Sequence, residues 1–200
     1  LVIFRECTEG FYADRNMFMG QGEFMPTPDM AIALRKVTAR QCERISRVAF
    51  EWARQRRRKV TAVHKANVLH ISDGLFLREV RKVAEEYPDV ELDEKIVDAM
   101  AALLVRDPSR FDCIVTGNMF GDILSDEASE ISGSLGLAGS TMAGDDACCA
   151  QAQHGSAPDI QGQDKANPTS LILSAAMLLE WLAARHKRPE FDRAAKAIEG

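Results

Sequence analysis

Between Thr38 and Ile131 short apolar runs alternate with segments of helical period, and this alternation constrains the fold more than any other feature of the chain. Thr38 and Gln41 form a capping box, Ile45, Val48, Ala49 and Trp52 recur at helical spacing, and Arg54 to Lys59 make a basic end; the pattern predicts a helix over 38–57. Val60 to Val63 reads as a short strand. A second helix starts near Asp73, carries Leu75, Phe76, Val80, Val83 and Tyr87, and stops at Pro88. Val90 to Leu92 is the next strand, followed by a helix through Ile96, Val97, Met100 and Leu104. Phe111 to Val115 is then a strand too apolar to be an exposed edge. A helix over 119–131 closes the series. Strand and helix in alternation make a layered α/β fold.

The flanks read differently. Leu1 to Phe4 predicts a buried strand, but the stretch from there to about Arg35 holds Gly10, Gly20, Gly22, Pro26 and Pro28 and has neither strand nor helix period. We read it as an arm, at about 12–37, that packs on a partner subunit. At Gly133 the helical period is lost and Gly136, Gly139 and Gly144 follow, which places a domain crossing there. Asn167, ahead of Pro168, is an N-cap candidate for an apolar helix to about Ala184. Being apolar on most sides, that helix is expected to be buried.

Of the 200 residues 46% are hydrophobic and 28% charged, enough to build a core and too few charges for a disordered chain. A net charge of -5, with no basic stripe among aromatics, argues against a nucleic-acid partner. Leu171 to Leu179 is the longest apolar stretch; Ser174 interrupts it, and it falls far short of the roughly 20 residues a membrane span needs. Cys7, Cys42, Cys113, Cys148 and Cys149 are an odd set without a Cys-x-x-Cys pair, which fits reduced thiols in a cytoplasmic protein. The chain starts at Leu1 without a signal-peptide pattern, and we expect it to be the interior of a longer one.

Several residues have both a bland and a chemical reading. Asp122 and Asp126 are four apart at the start of a helix that follows a buried strand. Both carboxylates share a face, as a solvated acidic surface or as two hard ligands for Mg²⁺ or Mn²⁺. Lys65, at a strand end, is a surface cation or a general base. Arg5 is a surface cation or a bidentate carboxylate binder, and Tyr12 a packing aromatic or a proton donor. The polar loop from His154 to Ile160, with Asn167 after it, is a plain connection or a binding loop. Neither a Walker loop nor Gly-x-Gly-x-x-Gly is present.

Taken in order, five stretches resemble one family. They are Phe4-Arg5-Glu6-Cys7-Thr8-Glu9-Gly10-Phe11-Tyr12, Val63-His64-Lys65-Ala66-Asn67-Val68-Leu69, Val97-Asp98-Ala99-Met100, Asn118-Met119-Phe120-Gly121-Asp122-Ile123-Leu124-Ser125-Asp126 and His154-Gly155-Ser156-Ala157-Pro158-Asp159-Ile160. Together they resemble the β-decarboxylating 2-hydroxyacid dehydrogenases, which act on 3-isopropylmalate, isocitrate, homoisocitrate or tartrate. The resemblance implies an isopropylmalate dehydrogenase-like α/β fold, here without the family's N-terminal third. Residues 1–132 would form a substrate and dimerisation domain and 133–200 part of a nucleotide-binding domain. It implies oxidative decarboxylation of a 2-hydroxy diacid with NAD and Mg²⁺ or Mn²⁺, in a homodimer with shared active sites. A non-catalytic subunit, or an inactive fragment of such an enzyme, is the alternative.

By the same resemblance Arg5 would grip a substrate carboxylate, Tyr12 would be the general acid, and Lys65 the general base supplied by the neighbouring subunit. Asp122 and Asp126 would hold the metal with Asp98 across the dimer interface. His154, Gly155, Ser156, Ala157, Asp159 and Asn167 would form the adenosine side of the dinucleotide site. Asp159 and Ile160 in particular imply NAD over NADP, because a carboxylate accepts from ribose hydroxyls and repels a 2′-phosphate. Two places depart from the family pattern, Cys7 and the Gln151-Ala152-Gln153 lead into the loop, and both bear on substrate choice.

Overall fold

Four of the apolar runs become strands of one parallel sheet. β1 (Val2–Arg5), β4 (Lys59–His64), β5 (Glu91–Ile96) and β6 (Cys113–Thr116) lie in the order β1-β6-β4-β5. Val2 is in register with Cys113, Val60 also with Cys113, and His64 with Ile96. The computed structural model describes residues 1–12 and 17–200. Two compact units are present, Leu1–Glu127 and Ala128–Gly200.

In the first unit helices cover both faces of the sheet. α1 (Ala39–Arg54) and α2 (Ser72–Ala84) pack on the face that carries Val60, Ala62, Cys113 and Val115, around the fully buried Phe50. α3 (Val97–Arg106) and α4 (Asn118–Ile131) supply Met100, Leu104 and Leu124 to the other face, against Val63 and Ile114. Neighbours such as Cys113 and Ile114 point opposite ways because a strand alternates its side chains. The central strand β6 is buried throughout, as its composition requires. β1 is an edge strand, and only its Phe4 is buried, so the expectation of a buried strand holds for one side chain in four.

The helix ends follow local chemistry. Thr38 is extended, and its Oγ1 accepts from Gln41 N at 3.4 Å, as an N-cap does. α1 ends at Arg54 rather than 57, and Arg58 sits at φ 56, where the chain turns into β4. Ile96 closes β5 instead of opening α3.

The arm differs from its reading. It contains an antiparallel hairpin, β2 (Glu23–Thr27) with β3 (Met30–Ala33), both wholly exposed and with a register shift between Phe24 and Thr27. Pro26 and the Pro28–Asp29 turn hid the strand period. Residues 13–16, part of the expected arm, lie outside those described. Gly10, at φ 85, joins the arm's two ends by exchanging backbone hydrogen bonds with Lys36 at 2.8 and 3.0 Å.

The second unit is built on a hairpin of β7 (Gly139–Ala143) and β8 (Cys148–Ala152) under α5 (Thr169–His186). Two serines one turn apart fasten the helix to both strands. Ser170 Oγ donates to Ala138 O and accepts from Gln153 N; Ser174 Oγ donates to Gln151 O and accepts from Ser140 N. Gly139 permits this close approach, since a Cβ there would lie 3.0 Å from Met177 Sδ. α5 is not buried all round: Leu171 and Ile172 are exposed, because only the serine face has a strand beneath it. The cap also shifts by one residue. Pro168 is the first helix-flanking residue, and Asn167 Oδ1 accepts from Thr169 N at 3.0 Å. α6 (Pro189–Glu199), which the apolar pattern did not mark, packs on α5 through the fully buried Ala195.

Candidate active site

Parallel strands end at the same edge of a sheet, and that edge is where open α/β sheets bind ligands. Arg5 ends β1, Lys65 follows β4, Asp98 follows β5, and Asn118 to Asp126 follow β6. Chain topology therefore brings together residues up to 117 positions apart.

Arg5 lies along the first turn of α4. Its Nε and Nη2 donate to Asn118 Oδ1 at 2.9 and 2.7 Å, and Nη1 forms an ion pair with Asp122. Tyr12 donates its hydroxyl to the other Asp122 oxygen at 3.1 Å, and its ring is 5.8 Å from the Arg5 guanidinium carbon. Desolvation, and then the hydrogen bond to the Asp122 carboxylate, hold the Tyr12 phenol above its ordinary value. It is thus a protonated donor at neutral pH. Asp126 lies one turn beyond Asp122 and is exposed.

On β4 the backbone after His64 is tied down on both sides. Lys65 N donates to Asp73 Oδ2 at 2.5 Å, and Ala66 N donates to His64 Nδ1 at 3.0 Å. Burial holds the His64 imidazole below its ordinary value, so it is neutral and its Nδ1 is free to accept. Lys65 Nζ projects to Asp98, with which it forms an ion pair. That lysine holds the Asp98 carboxyl below the usual carboxylate value.

Buried polar groups support these side chains from behind. Asp73, 3% exposed, pairs with Arg35 at 2.5 Å, and Arg35 also donates to Ser72 Oγ and lies over the Phe11 and Phe120 rings. Glu9, itself buried, accepts from Thr38 N and Oγ1 at 2.7 and 2.9 Å, and Asn118 Nδ2 donates to Glu9 O at 3.0 Å. Glu6 accepts from the Thr8 hydroxyl and from Glu9 N. A cavity of about 20 Å³, room for one water, lies among Glu6, Glu9, Arg35, Asp73 and Asn118. Sequence reasoning gave Asn118, Glu9, Arg35 and Asp73 no part; their one signal was that each is a polar residue beside or within a quoted motif or a helix start.

Asp122, Arg5 and Tyr12 thus meet in one cluster, and Lys65 and Asp98 in another. Among the described residues no three His, Cys, Asp or Glu of one chain are grouped to hold a metal. The donor chemistry nevertheless fits a hard divalent cation, since Asp98, Asp122 and Asp126 offer carboxylate oxygens alone.

In the second unit the loop 154–167 is held by its own backbone. His154 Nδ1 contacts Gly155 O at 2.8 Å, Ala157 sits at φ 42, Pro158–Ile160 make a 3₁₀ turn, and Gln163 Nε2 donates to Asp159 O at 2.7 Å. Gly155, Ser156, Ala157, Asp159 and Asn167 are all exposed, and nothing lies within 4 Å of a Cβ built on Gly155.

A family model described as isocitrate/isopropylmalate dehydrogenase matches residues 1–199. The chain belongs to the isocitrate/isopropylmalate dehydrogenase family. It is 47% identical over 188 residues to a homoisocitrate dehydrogenase of Methanocaldococcus jannaschii, covering 94% of this chain and 52% of that protein. It is 46% identical over 199 residues to a 3-isopropylmalate dehydrogenase of Saccharolobus solfataricus, covering 100% and 56%. The crystal structure of isocitrate dehydrogenase from Methylococcus capsulatus matches with a TM-score of 0.85 at 45% identity, over all of this chain and 58% of that one. The chain spans about half the length of the curated relatives it matches. The mixed α/β fold expected from the sequence is the fold of this family. Among the described residues no helix is long and apolar enough to cross a membrane.

Proposed function

We propose that this chain forms the substrate side, and part of the dinucleotide side, of an oxidative decarboxylase of 2-hydroxy diacids. The convergence of Arg5 and Tyr12 on Asp122 carries the reading. A cation for a carboxylate, a proton donor and a metal-type carboxylate stand together at the ligand-binding edge of the sheet.

The chemistry that bound groups would supply here is polarisation of the substrate hydroxyl, from a divalent ion, and hydride acceptance, from NAD. Asp122 and Asp126 of one subunit, with Asp98 of a second copy, are the residues to hold Mg²⁺ or Mn²⁺. Arg5 binds a substrate carboxylate through the guanidinium end that Asn118 leaves open. Lys65, reaching in from the second copy, takes the hydroxyl proton at Nζ, and Tyr12 returns a proton to carbon after CO₂ has left. His154, Gly155, Ser156, Ala157, Asp159 and Asn167 face the adenosine portion of NAD. Asp159 selects against the 2′-phosphate of NADP as much as it attracts the ribose.

The assembly is a homodimer. Phe24, Met25, Met30 and Ile32 on the fully exposed arm hairpin form apolar surface that a partner subunit would cover. A cytoplasmic setting accords with the thiols, all of which are free. Burial pushes Cys42 up to about 12 and Cys113 up to about 11, so these two are inert core residues.

The test is NADH formation by the full-length protein with Mn²⁺ and a panel of 3-isopropylmalate, homoisocitrate, isocitrate and tartrate. Turnover of one panel member, abolished by a chelator, is expected. Diacid binding without NADH would instead identify a non-catalytic subunit.

A further inference from the structure

Arg5 crosses α4 closer than any side chain at position 121 would allow. A Cβ built on Gly121 would lie 2.6 Å from Arg5 Cγ and 2.7 Å from Arg5 Cβ, distances that real Cβ atoms essentially never show. The backbone there is ordinary helix, with Gly121 N donating to Gly117 O at 2.9 Å, so it is close approach and not conformation that demands glycine. One turn earlier Asn118, 4% exposed, takes the Nε–Nη2 edge of the guanidinium on one oxygen. Its amide cannot turn over, because Nδ2 is committed to Glu9 O. Of the guanidinium nitrogens, Nη1 alone has no bond to Asn118, and it pairs instead with Asp122.

We propose that Gly121 and Asn118 are positioning residues for Arg5. Gly121 lets the arginine stem lie flat on the helix, and Asn118 fixes one edge of the fork, so that Nη1 is the end presented to a substrate carboxylate. An arginine with five donors in a rigid plane discriminates by direction, and that direction is set before substrate arrives. The inference rests on the reading of Arg5 as the carboxylate-binding group and extends it to two positions of α4 that hold Arg5 in place.

Five variants of the full-length protein test it: Arg5→Gly, Gly121→Ala, Asn118→Ala and the doubles Arg5→Gly/Gly121→Ala and Arg5→Gly/Asn118→Ala. KM and kcat are measured with the diacid that the parent turns over, diacid binding by calorimetry, and thermal unfolding on each. Arg5→Gly is expected to weaken diacid binding roughly 10- to 100-fold, as loss of a charged hydrogen bond does. Gly121→Ala should weaken it comparably in the parent and add nothing in the Arg5→Gly background, where the Cβ, Cγ and Cδ that the new methyl would meet are all gone. Asn118→Ala should raise KM more than it lowers kcat, and this effect too should vanish without Arg5. Unchanged diacid binding in Arg5→Gly overturns the reading of Arg5 itself. Impaired binding there, with Gly121→Ala either harmless or fully additive, overturns the positioning role alone. Should Gly121→Ala not fold, a folded Arg5→Gly/Gly121→Ala double supports the contact; if that double also fails, the Asn118→Ala comparison decides.

Discussion

The C-terminal edge of the parallel sheet and the loop 154–167 are both expected to bind ligand, yet they are built in opposite ways. At the sheet edge Arg5, Lys65 and Tyr12 are each bonded to another element: the Arg5 side chain to α4, the Lys65 side chain to α3 and its backbone N–H to Asp73, and the Tyr12 hydroxyl to Asp122. In the loop the bonds are local, spanning one to four residues, and the side chains are exposed. The contrast follows from the chemistry each region is proposed to perform. Groups that move protons or grip a small diacid must be fixed to a fraction of an ångström, whereas a loop against an adenosine gains its order from a large ligand.

Replacing Lys65 by Ala strikes hardest at the rigid region. Turnover should fall by about 10²- to 10⁴-fold, the usual contribution of a positioned base. The thermal midpoint should hardly move, since Asp98, its partner, is solvent-exposed; a steady-state NADH assay beside thermal unfolding separates the two. A large loss of stability with turnover retained would mean that the lysine is structural.

Asp73→Ala sharpens the comparison through folding. The substitution leaves Arg35 as a buried charge without its carboxylate and frees the Lys65 backbone N–H, so unfolding in urea should show a loss of about 3–5 kcal/mol. No substitution of an exposed residue in the loop 154–167 should approach that figure. One that did would break the contrast.

Asp122→Asn should raise the Mn²⁺ requirement at least about tenfold, the loss that follows even removal of an outer-shell partner. Metal titration by calorimetry reads it directly, and an unchanged requirement would remove Asp122 from the ligand set. The smallest effect is expected in the loop. Asp159→Lys with Ile160→Tyr should shift the ratio of catalytic efficiencies toward NADP while stability stays within about 0.5 kcal/mol, as for surface substitutions generally. Equal efficiency of the unaltered protein with NAD and NADP would show that Asp159 stands outside the cofactor site.

Much of the first unit was legible because periodicity is a local signal. β4 and α4 stand within a residue or two of their sequence boundaries, α2 starts as expected and ends three residues before Tyr87, and the apolar run ending at Val115 is an inner strand. The arm hairpin was not legible, since Pro26 and a register shift disrupt the alternation on which a strand reading depends. α5 reads as buried because Leu171 and Ile172 are apolar, yet composition cannot say that the two serines would choose the face against the strands. The buried polar residues behind the candidate site were invisible for a related reason. The partners of Glu9 and Arg35 lie 29 and 38 residues away along the chain, beyond the reach of any local spacing.

Sequence by itself determined the alternation of strand and helix, the helix starts at Thr38 and near Asp73, and the shared face of Asp122 and Asp126, because each depends on spacing within one turn or one strand. The tertiary structure alone decided that Arg5 lies on Gly121 between Asn118 and Asp122, that Tyr12 reaches the same carboxylate, and that Lys65 turns to Asp98. Those contacts exist because four parallel strands end at one edge, and strand order is a property of the closed sheet that no local window of residues carries.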